Sequence, residues 1–392
     1  MKIGYFCNST NWGNKKKYNQ ILKEAREIAI FCDENEWDSI WFTEHHFSHE
    51  GMEICPNALM LSSDIAARTK NIRIGQAANI ITFWNPIRVA EDIALLDQMS
   101  NGRVEAGVGR GIYGREALNM NPEADTKDQA KNFRLFEETL QIMKKAWTEK
   151  FFDHKGEFYN YPSPNFEWKH DMSPPSDEFM DTNNNFLKKI SVVPQPVQKP
   201  HPPIWQVVDS KSSIEWAAKN KINIIMWIPP VESLKKRFEI YKETRSNFEN
   251  QQVELGEGVS VVRDMFVADT MEEAKEKAGE QMVNYIKWVC HWRGLSNHMN
   301  PGEELPRTEN KLDLLNYEFL HKRNMLFGTV DYIINKIEEM ESELNLKNLL
   351  VWSNFPEVKH QDCMKSIKLF TEKIIPHFKN KNKNKNKIEA AI

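Results

Sequence analysis

The sequence predicts an α/β fold in which eight parallel strands and their helices close into a (β/α)8, or TIM, barrel. Short apolar, β-rich runs alternate with amphipathic stretches of helical length, which is typical of βα units. Eight such runs occur, the number that closes a barrel. No GxGxxG turn follows the first run, which disfavours the alternative of an open doubly wound sheet. The predicted strands are residues 3–6, 39–43, 72–80, 104–108, 204–208, 224–228, 259–267 and 348–353.

Amphipathic stretches follow the runs and predict helices, among them residues 18–34, 86–99, 128–150, 271–292 and 363–378. Two long insertions, residues 151–200 and 293–328, interrupt the repeat after the fourth and seventh strands. Long connections in a barrel are often functional, so both are predicted to cover a substrate, and the aromatic side chains of the first to line an apolar pocket. Residues 1–378 are expected to form one domain, and the Lys- and Asn-rich residues 379–392 a disordered tail.

The composition excludes several classes of protein. Apolar residues make up 40% and charged residues 28% of the chain, and the net charge is −4. Lys and Arg are dispersed, so no nucleic-acid partner is predicted. The N-terminus lacks a secretory pattern and no apolar run reaches membrane-spanning length, which predicts a cytoplasmic protein without a membrane partner. Five scattered cysteines without a CxxC pair predict reduced thiols.

The C-terminal ends of barrel strands are where functional side chains are expected. The second strand ends in Glu44, His45 and His46, within the string TEHHF. A histidine exchanges protons near neutral pH, and a neighbouring carboxylate or carbonyl fixes its tautomer. His45 and Glu44 are therefore predicted to be catalytic, and His46 to be a packed or hydrogen-bonded residue. A metal site that adds His49 is the alternative, but no HxH or HExxH pattern is present, so no metal site is predicted.

Two further strand ends carry groups that bind anions. The fourth strand runs into GVGRG, where missing side chains let a flat or phosphorylated ligand approach the backbone, and Arg110 supplies a positive charge. The fifth strand is followed by Asp209 and by a helix that starts at Ser210 and Ser213. Hydroxyl and N–H groups at a helix start can hold a phosphate, although capping of the helix is their more common role. Both roles stay open from the residues alone.

Four strings of this sequence resemble bacterial luciferase and the related flavin-dependent monooxygenases. They are TEHHF (43–47), NPIRVAEDIALLDQMSNGRVEAGVGRG (85–111), QVVDSKSSIEWAAKN (206–220) and IIMWI (224–228). The paired histidines and the arginine of GVGRG resemble the catalytic, alpha-type subunit. The resemblance implies a barrel that holds FMN, with the flavin phosphate bound by Arg110, Ser210 and Ser213. The other implied flavin contacts are Ala77 and Ala78, a pair that the family often joins by a cis peptide, with Gly109, Tyr113, Val207, Asp209 and Trp227.

The resemblance also implies the reaction. Reduced FMN from a separate NAD(P)H:flavin reductase is the expected cofactor, and it activates the cosubstrate O₂ as a C4a-(hydro)peroxyflavin that oxygenates a small organic substrate. His45 matches the histidine that the family needs for turnover. A homodimer is the expected assembly. An F420-dependent oxidoreductase of the same fold and a non-catalytic flavin-binding partner subunit stay open, as does the oxygenated group, whether an aldehyde, a ketone, a heteroatom or a C–H bond.

Overall fold

The computed structural model describes residues 1–305 and 310–379 and confirms the barrel. All eight predicted strands are present, and each pairs in parallel with the next along the chain. The last strand pairs with the first, so the sheet closes on itself. The barrel strands are β1 (Lys2–Cys7), β2 (Ser39–Phe42), β3 (Arg73–Gln76), β4 (Val104–Gly109), β5 (Ile204–Val207), β6 (Asn223–Met226), β7 (Val259–Val267) and β8 (Asn348–Trp352).

Helices surround the sheet because each presents an apolar stripe to it. In the helix Val330–Leu344 the buried residues recur every three or four positions, and Thr329 caps its start by accepting a hydrogen bond from the Tyr332 N–H. The helices are Tyr18–Glu34, Ala58–Ala66, Pro86–Ser100, Gly114–Met120, Gln129–Thr148, Lys211–Lys219, Val231–Glu249, Met271–Ala274, Glu280–Arg293, Tyr317–Arg323, Val330–Leu344 and His360–Leu369. A π-helical turn, Lys275–Gly279, joins Met271–Ala274 to Glu280–Arg293.

Apolar side chains also fill the inside of the barrel. Trp41 and Trp205 meet edge to face there, with ring centroids 5.5 Å apart. The indole N–H of Trp205 donates to Glu105, which satisfies its buried polar atom. Ile225 and Val262 belong to the same cluster and also line the cavity above it. The packed cluster therefore forms the floor of a site that opens at the C-terminal ends of the strands.

The first insertion, residues 151–200, does not cover that site. It leaves the end of the helix Gln129–Thr148 and leads to the start of β5, and the Gln198 side chain donates to the carbonyl of Val104 at the start of β4. Its aromatic residues pack on one another, as Phe151 does on Phe179. None of its residues lines the cavity, so the prediction of a substrate cover with an aromatic pocket is wrong here.

The first insertion contains two short hairpins instead of a plain loop. One pairs His154–Lys155 with Asn160–Tyr161, and the other pairs Met180–Asp181 with Phe186–Leu187.

The second insertion, residues 293–328, contains regular structure that the sequence did not reveal. The short strand Met325–Gly328 pairs in parallel with the last four residues of β7, and the helix Tyr317–Arg323 precedes it. Residues 306–309 of this insertion, and residues 380–392 of the predicted tail, lie outside the described residues. Within the part of the chain that the structure describes, no helix has the length and apolar character needed to cross a membrane.

Candidate active site

A cavity of about 950 Å³, including its open mouth, lies at the C-terminal ends of β1 to β7. Of the predicted site residues, only Ser210 and Ser213 do not line it. The predicted residues that do are Glu44, His45, Ala77, Ala78, Gly109, Arg110, Tyr113, Val207, Asp209 and Trp227.

His45 lies between two carboxylates that the sequence did not assign to it. Its Nδ1 is 3.3 Å from Oε1 of Glu116 and 3.4 Å from Oε2 of Glu53. Glu116 belongs to the short helix Gly114–Met120 after β4, and Glu53 to the loop after β2. Both carboxylates line the cavity together with His45. Because Nδ1 is held, Nε2 is the ring atom that is free to exchange a proton with a bound molecule.

These carboxylates change the protonation of His45. Burial lowers the pKa of the imidazole, but the negative charges of Glu53, Glu116 and Glu44 together outweigh it and raise the pKa to about 9. The side chain is therefore an imidazolium at neutral pH. It can donate a proton or a strong hydrogen bond, which makes it an acid rather than a base in its resting state.

Glu44 has different partners from those of His45. It accepts hydrogen bonds from the Ile80 backbone N–H at 3.0 Å and from the Trp84 indole, and it lies 3.0 Å from Nε2 of His46. Glu44 thus ties the end of β2 to the segment after β3, while its negative charge still acts on His45. His46 does not line the cavity, in agreement with its predicted hydrogen-bonded role.

Arg110 projects into the cavity from the end of β4 and has no acidic partner among the described residues. Its Nη1 donates to the Gln129 side chain at 3.3 Å, and its guanidinium lies 5.4 Å from the ring centroid of Phe133. Burial lowers the pKa of this arginine, but an arginine stays protonated at neutral pH. The side chain is thus a half-buried positive charge available to an anion.

Ser210 and Ser213 cap the helix Lys211–Lys219. Ser210 Oγ accepts a hydrogen bond from the Ser213 N–H at 3.2 Å and lies 3.0 Å from Ser213 Oγ. The helix also stands next to Arg110, since Phe133 contacts both that guanidinium and Trp216 of the helix. The geometry thus shows the capping role of Ser210, and the helix packs on a ring that also contacts Arg110.

Asp209 forms an ion pair with Arg293, the last residue of the helix Glu280–Arg293. Arg293 is half-buried and lines the cavity, and desolvation lowers its pKa. The sequence pointed to Asp209 but not to its partner. The ion pair joins β5 to the helix that covers the cavity from the β7 side.

The remaining predicted residues form the walls. The Ala77–Ala78 peptide is cis and separates β3 from the two-residue strand Asn79–Ile80, so the predicted run 72–80 is not one strand. A Cβ on Gly109 would lie 3.1 Å from Cδ1 of Ile80 and 3.2 Å from Cβ of Ala78. Any larger residue at Gly109 would therefore fill the space beside this peptide.

Opposite that wall, the indole N–H of Trp227 donates to Asp264 at 2.8 Å. This hydrogen bond fixes the aromatic ring at the cavity. In residues 1–305 and 310–379, no group of three or more His, Cys, Asp or Glu side chains is arranged to hold a metal ion.

Among the cavity residues that the sequence reasoning missed, four have titratable side chains, Glu53, Glu116, Tyr285 and Arg293. Glu116 follows GVGRG by five residues. Tyr285 lies within the predicted helix 271–292 and Arg293 directly follows it, so the sequence did predict the helix that carries these two residues. The spacing of Tyr285 and Arg293 is eight residues, which places both on one face of a helix. That spacing is the signal in the sequence that could have identified Tyr285 and Arg293. Glu53 lies in a loop, and no sequence pattern points to it.

A family model described as luciferase-like monooxygenase matches residues 1–175 and 177–344. The chain belongs to this family. Membership confirms the resemblance and the enzyme class inferred from the sequence, a luciferase-like, flavin-dependent monooxygenase. It also agrees with the barrel and with the location of the cavity at its C-terminal end.

Individual relatives differ in what they act on. The oxygenase component of flavin-dependent trigonelline monooxygenase from Acinetobacter baylyi is 26% identical over 349 residues, which cover 87% of this chain and 86% of that protein. The oxygenating constituent of 3,6-diketocamphane monooxygenase from Pseudomonas putida, a type II Baeyer–Villiger enzyme solved with FMN, is 20% identical with a TM-score of 0.75. The match covers 96% of this chain and 98% of that structure.

A third structure shows that the same fold also serves another cofactor. An F420-dependent secondary alcohol dehydrogenase is 16% identical with a TM-score of 0.66. The match covers 95% of this chain and 98% of that chain. At this identity the likeness concerns the fold, so the choice of cofactor rests on the residues of the cavity.

Proposed function

We propose that this chain is the oxygenase component of a two-component monooxygenase that binds reduced FMN and uses O₂ to oxygenate a small organic substrate. The carrying observation is that one cavity holds Arg110, which has no acidic partner among the described residues, and His45, which lies between the carboxylates of Glu53 and Glu116. The first can bind a phosphate and the second can give a proton to the reacting molecule. When bound, reduced FMN supplies the electrons that activate O₂.

The residues present fit FMN on three counts. Among the described residues Arg110 has no acidic partner, and Phe133 joins it to the helix Lys211–Lys219, whose first backbone N–H groups are of the kind that bind a phosphate. Gly109 leaves open a space that a Cβ would fill. Ala77, Ala78, Val207 and Trp227 offer an apolar and aromatic lining, with Tyr113 and Asp209 also at the cavity. We assign the phosphate to Arg110 with Ser210 and Ser213, and the ring to the apolar walls.

We assign the proton transfer to His45, whose positive charge is stabilised by the carboxylates of Glu53 and Glu116. The relative from Acinetobacter baylyi is named an oxygenase component, and this sequence has no dinucleotide-binding fingerprint. Both support a separate NAD(P)H:flavin reductase as the source of reduced FMN. All five cysteines are free and buried, which supports a reducing compartment such as the cytoplasm.

The proposal is tested by anaerobic titration of the protein with reduced FMN and, separately, with reduced F420, followed by admission of O₂. We expect FMN to bind and the bound flavin to react with oxygen. Binding of F420 with no measurable binding of FMN would replace this proposal with a hydride transfer that needs no oxygen.

The pH dependence of the reaction tests the assignment of His45. Its pKa lies above the ordinary value of a histidine, so the proton is present at neutral pH and is lost as the pH rises through about 9. Turnover is therefore expected to fall above that pH. Glu116→Gln removes one of the negative charges that stabilise the imidazolium, so the decline in rate should move to lower pH by about one unit. A shift of one pKa unit corresponds to about 1.4 kcal/mol. The measurement is initial rate against pH.

Glu123→Gln is the matched control for this test, because Glu123 is exposed and follows the same helix. Its pH profile should match that of the wild type. A profile that is equally unchanged in Glu116→Gln would show that the titrating group is not His45.

We further propose a homodimer that forms through the helices Ala58–Ala66 and Pro86–Ser100. Apolar side chains on these two helices are exposed, with Met60 at 71%, Leu95 at 47% and Met99 at 55% of full exposure. Surfaces of this kind favour protein contacts. Leu95→Glu with Met99→Glu should convert the dimer to a monomer in sedimentation experiments, since it buries unpaired charges. Phe248→Glu, a change on another face, should leave the dimer intact. A wild-type protein that sediments as a monomer would refute the assembly.

A further inference from the structure

Two charged residues, Arg263 and Asp264, stand side by side in β7, and both are buried. Arg263 is 1% exposed and Asp264 0%. Successive side chains of a strand point to opposite faces, so these two lie on opposite sides of the sheet. Asp264 shares the inner face with Val262, which lines the cavity. A charge inside a protein is costly unless it is paired, so packing alone does not account for either residue.

Both side chains bind the same residue, Trp227, which directly follows β6. Nη1 of Arg263 donates to the Trp227 carbonyl at 2.9 Å, and Nη2 donates to the Pro229 carbonyl at 2.7 Å. Oδ1 of Asp264 accepts from the indole N–H of Trp227 at 2.8 Å. One side of β7 therefore holds the backbone of Trp227, and the other side holds its ring.

The carboxyl group of Asp264 serves Trp227 and not the cavity, which it does not line. Its second oxygen, Oδ2, is buried and has no hydrogen-bond partner among the described residues. Burial raises the pKa of Asp264 to about 7, although the indole N–H and the positive charge of Arg263 act in the opposite direction. An apolar side chain of the same shape would avoid this cost, so the contact with Trp227 is what distinguishes an aspartate here.

The other neighbours of the Trp227 ring do not fix its orientation. Tyr285 and Trp352 pack on it, with ring centroids 5.9 Å and 6.1 Å away. Aromatic contacts of this kind accept several geometries. The torsion that turns an indole about its bond to Cβ is also broad and roughly twofold. The hydrogen bond to Asp264 selects one of these orientations.

We propose that Asp264 is a positioning residue of the flavin site. By accepting the indole N–H, it holds the Trp227 ring in the orientation that forms the cavity wall on which the flavin ring binds, while Arg263 holds the backbone of Trp227. The inference rests on the proposed function for the identity of the flavin. The orientation of Trp227 is a property of the protein alone.

The first measurement needs no flavin. Indole N–H signals are recorded by NMR on the full-length protein labelled with ¹⁵N-tryptophan at about pH 8.5, where Asp264 is ionised. The Trp227 signal is assigned by its loss in Trp227→Phe. In Asp264→Leu, a change of similar shape, this signal should shift upfield, because a hydrogen bond to a charged oxygen is lost. An unshifted Trp227 signal in the folded variant would overturn the proposal.

The second measurement is a double-mutant cycle on the dissociation constant of reduced FMN. Asp264→Leu alone should weaken binding by about two- to tenfold, the contribution of one aromatic contact. In the Trp227→Phe background, which has no indole N–H to hold, the same change should have no further effect. Equal losses in both backgrounds would show that Asp264 acts through the general packing of the barrel, and would overturn the proposal.

Ser260→Ala is the matched control, because Ser260 is a buried polar residue on the same face of β7, near the start of the strand. It should keep the wild-type Trp227 signal and FMN affinity. Circular dichroism melting shows whether each variant is folded, and Asp264→Asn replaces Asp264→Leu in both measurements if the latter does not fold. Absence of FMN binding by the wild type refutes the proposed function, and the indole signal then still decides whether Asp264 holds the ring. FMN binding with equal losses in both backgrounds refutes only the role of Asp264.

Discussion

Replacing His45 with alanine is expected to lower the rate of oxygenation at least about 100-fold, the usual contribution of a general acid. The affinity for FMN should be largely unchanged, because the groups assigned to the phosphate lie on β4 and after β5. Nδ1 of His45 is held by Glu116 and Glu53, which leaves Nε2 to exchange a proton with a bound molecule. The measurement is product formed per O₂ consumed, with a compound that the wild type oxygenates in a screen.

His46→Ala is the matched control for this variant. His46 is adjacent in sequence and also contacts a carboxylate, yet it does not line the cavity. Glu44 retains its hydrogen bonds from Ile80 and Trp84 when His46 is removed. The effect of His46→Ala should therefore be much smaller. Turnover by His45→Ala at the wild-type rate would remove His45 from the mechanism.

Replacing Arg110 with methionine is expected to weaken FMN binding by about 10- to 100-fold, the range for a hydrogen bond to a charged group. Methionine keeps much of the length and the apolar stem of arginine, so its contact with Phe133 is retained while the charge is lost. Riboflavin, which has no phosphate, provides the matched ligand. The wild type should bind FMN more tightly than riboflavin, and Arg110→Met should bind the two about equally.

Arg134→Met controls for the general loss of one positive charge. Arg134 is on the neighbouring helix Gln129–Thr148, is half exposed and pairs with Glu157 away from the cavity. Its binding of FMN should equal that of the wild type. If Arg110→Met still prefers FMN over riboflavin by the wild-type ratio, the phosphate is bound elsewhere.

The sequence predicts the barrel well because burial on both faces leaves continuous apolar runs. All nine residues of β7 and all six of β4 are buried, and both runs were located. The strand Met325–Gly328 was missed because its four residues lie in a polar insertion. Only its pairing with the end of β7 makes it a strand, and such long-range pairing leaves no local pattern.

The candidate site was predictable where it follows directly from strand ends. His45, Arg110 and Asp209 are each within a few residues of a predicted strand, and the barrel brings them to one cavity. The carboxylates that set the charge of His45 were not predictable in this way. Glu53 and Glu116 resemble exposed loop residues in sequence, yet both are buried in the folded barrel.

The reach of the two insertions was misjudged for a related reason. Their length alone identified the two insertions. The end of the barrel at which a connection starts depends instead on whether it leaves a strand or a helix. The first insertion follows a helix and enters β5, and none of its residues lines the cavity. The second contributes Arg293, the only one of its described residues that lines the site.

The central claim, that this chain binds reduced FMN and controls its reaction with oxygen, is tested most directly by rapid mixing. An anaerobic complex of the protein with reduced FMN is mixed with O₂-saturated buffer, and flavin absorbance is followed over time. The account predicts that bound flavin returns to its oxidised form by a course distinct from that of free reduced FMN, and that His45→Ala alters this course. Oxidation identical to that of free FMN in the presence of excess protein would contradict it.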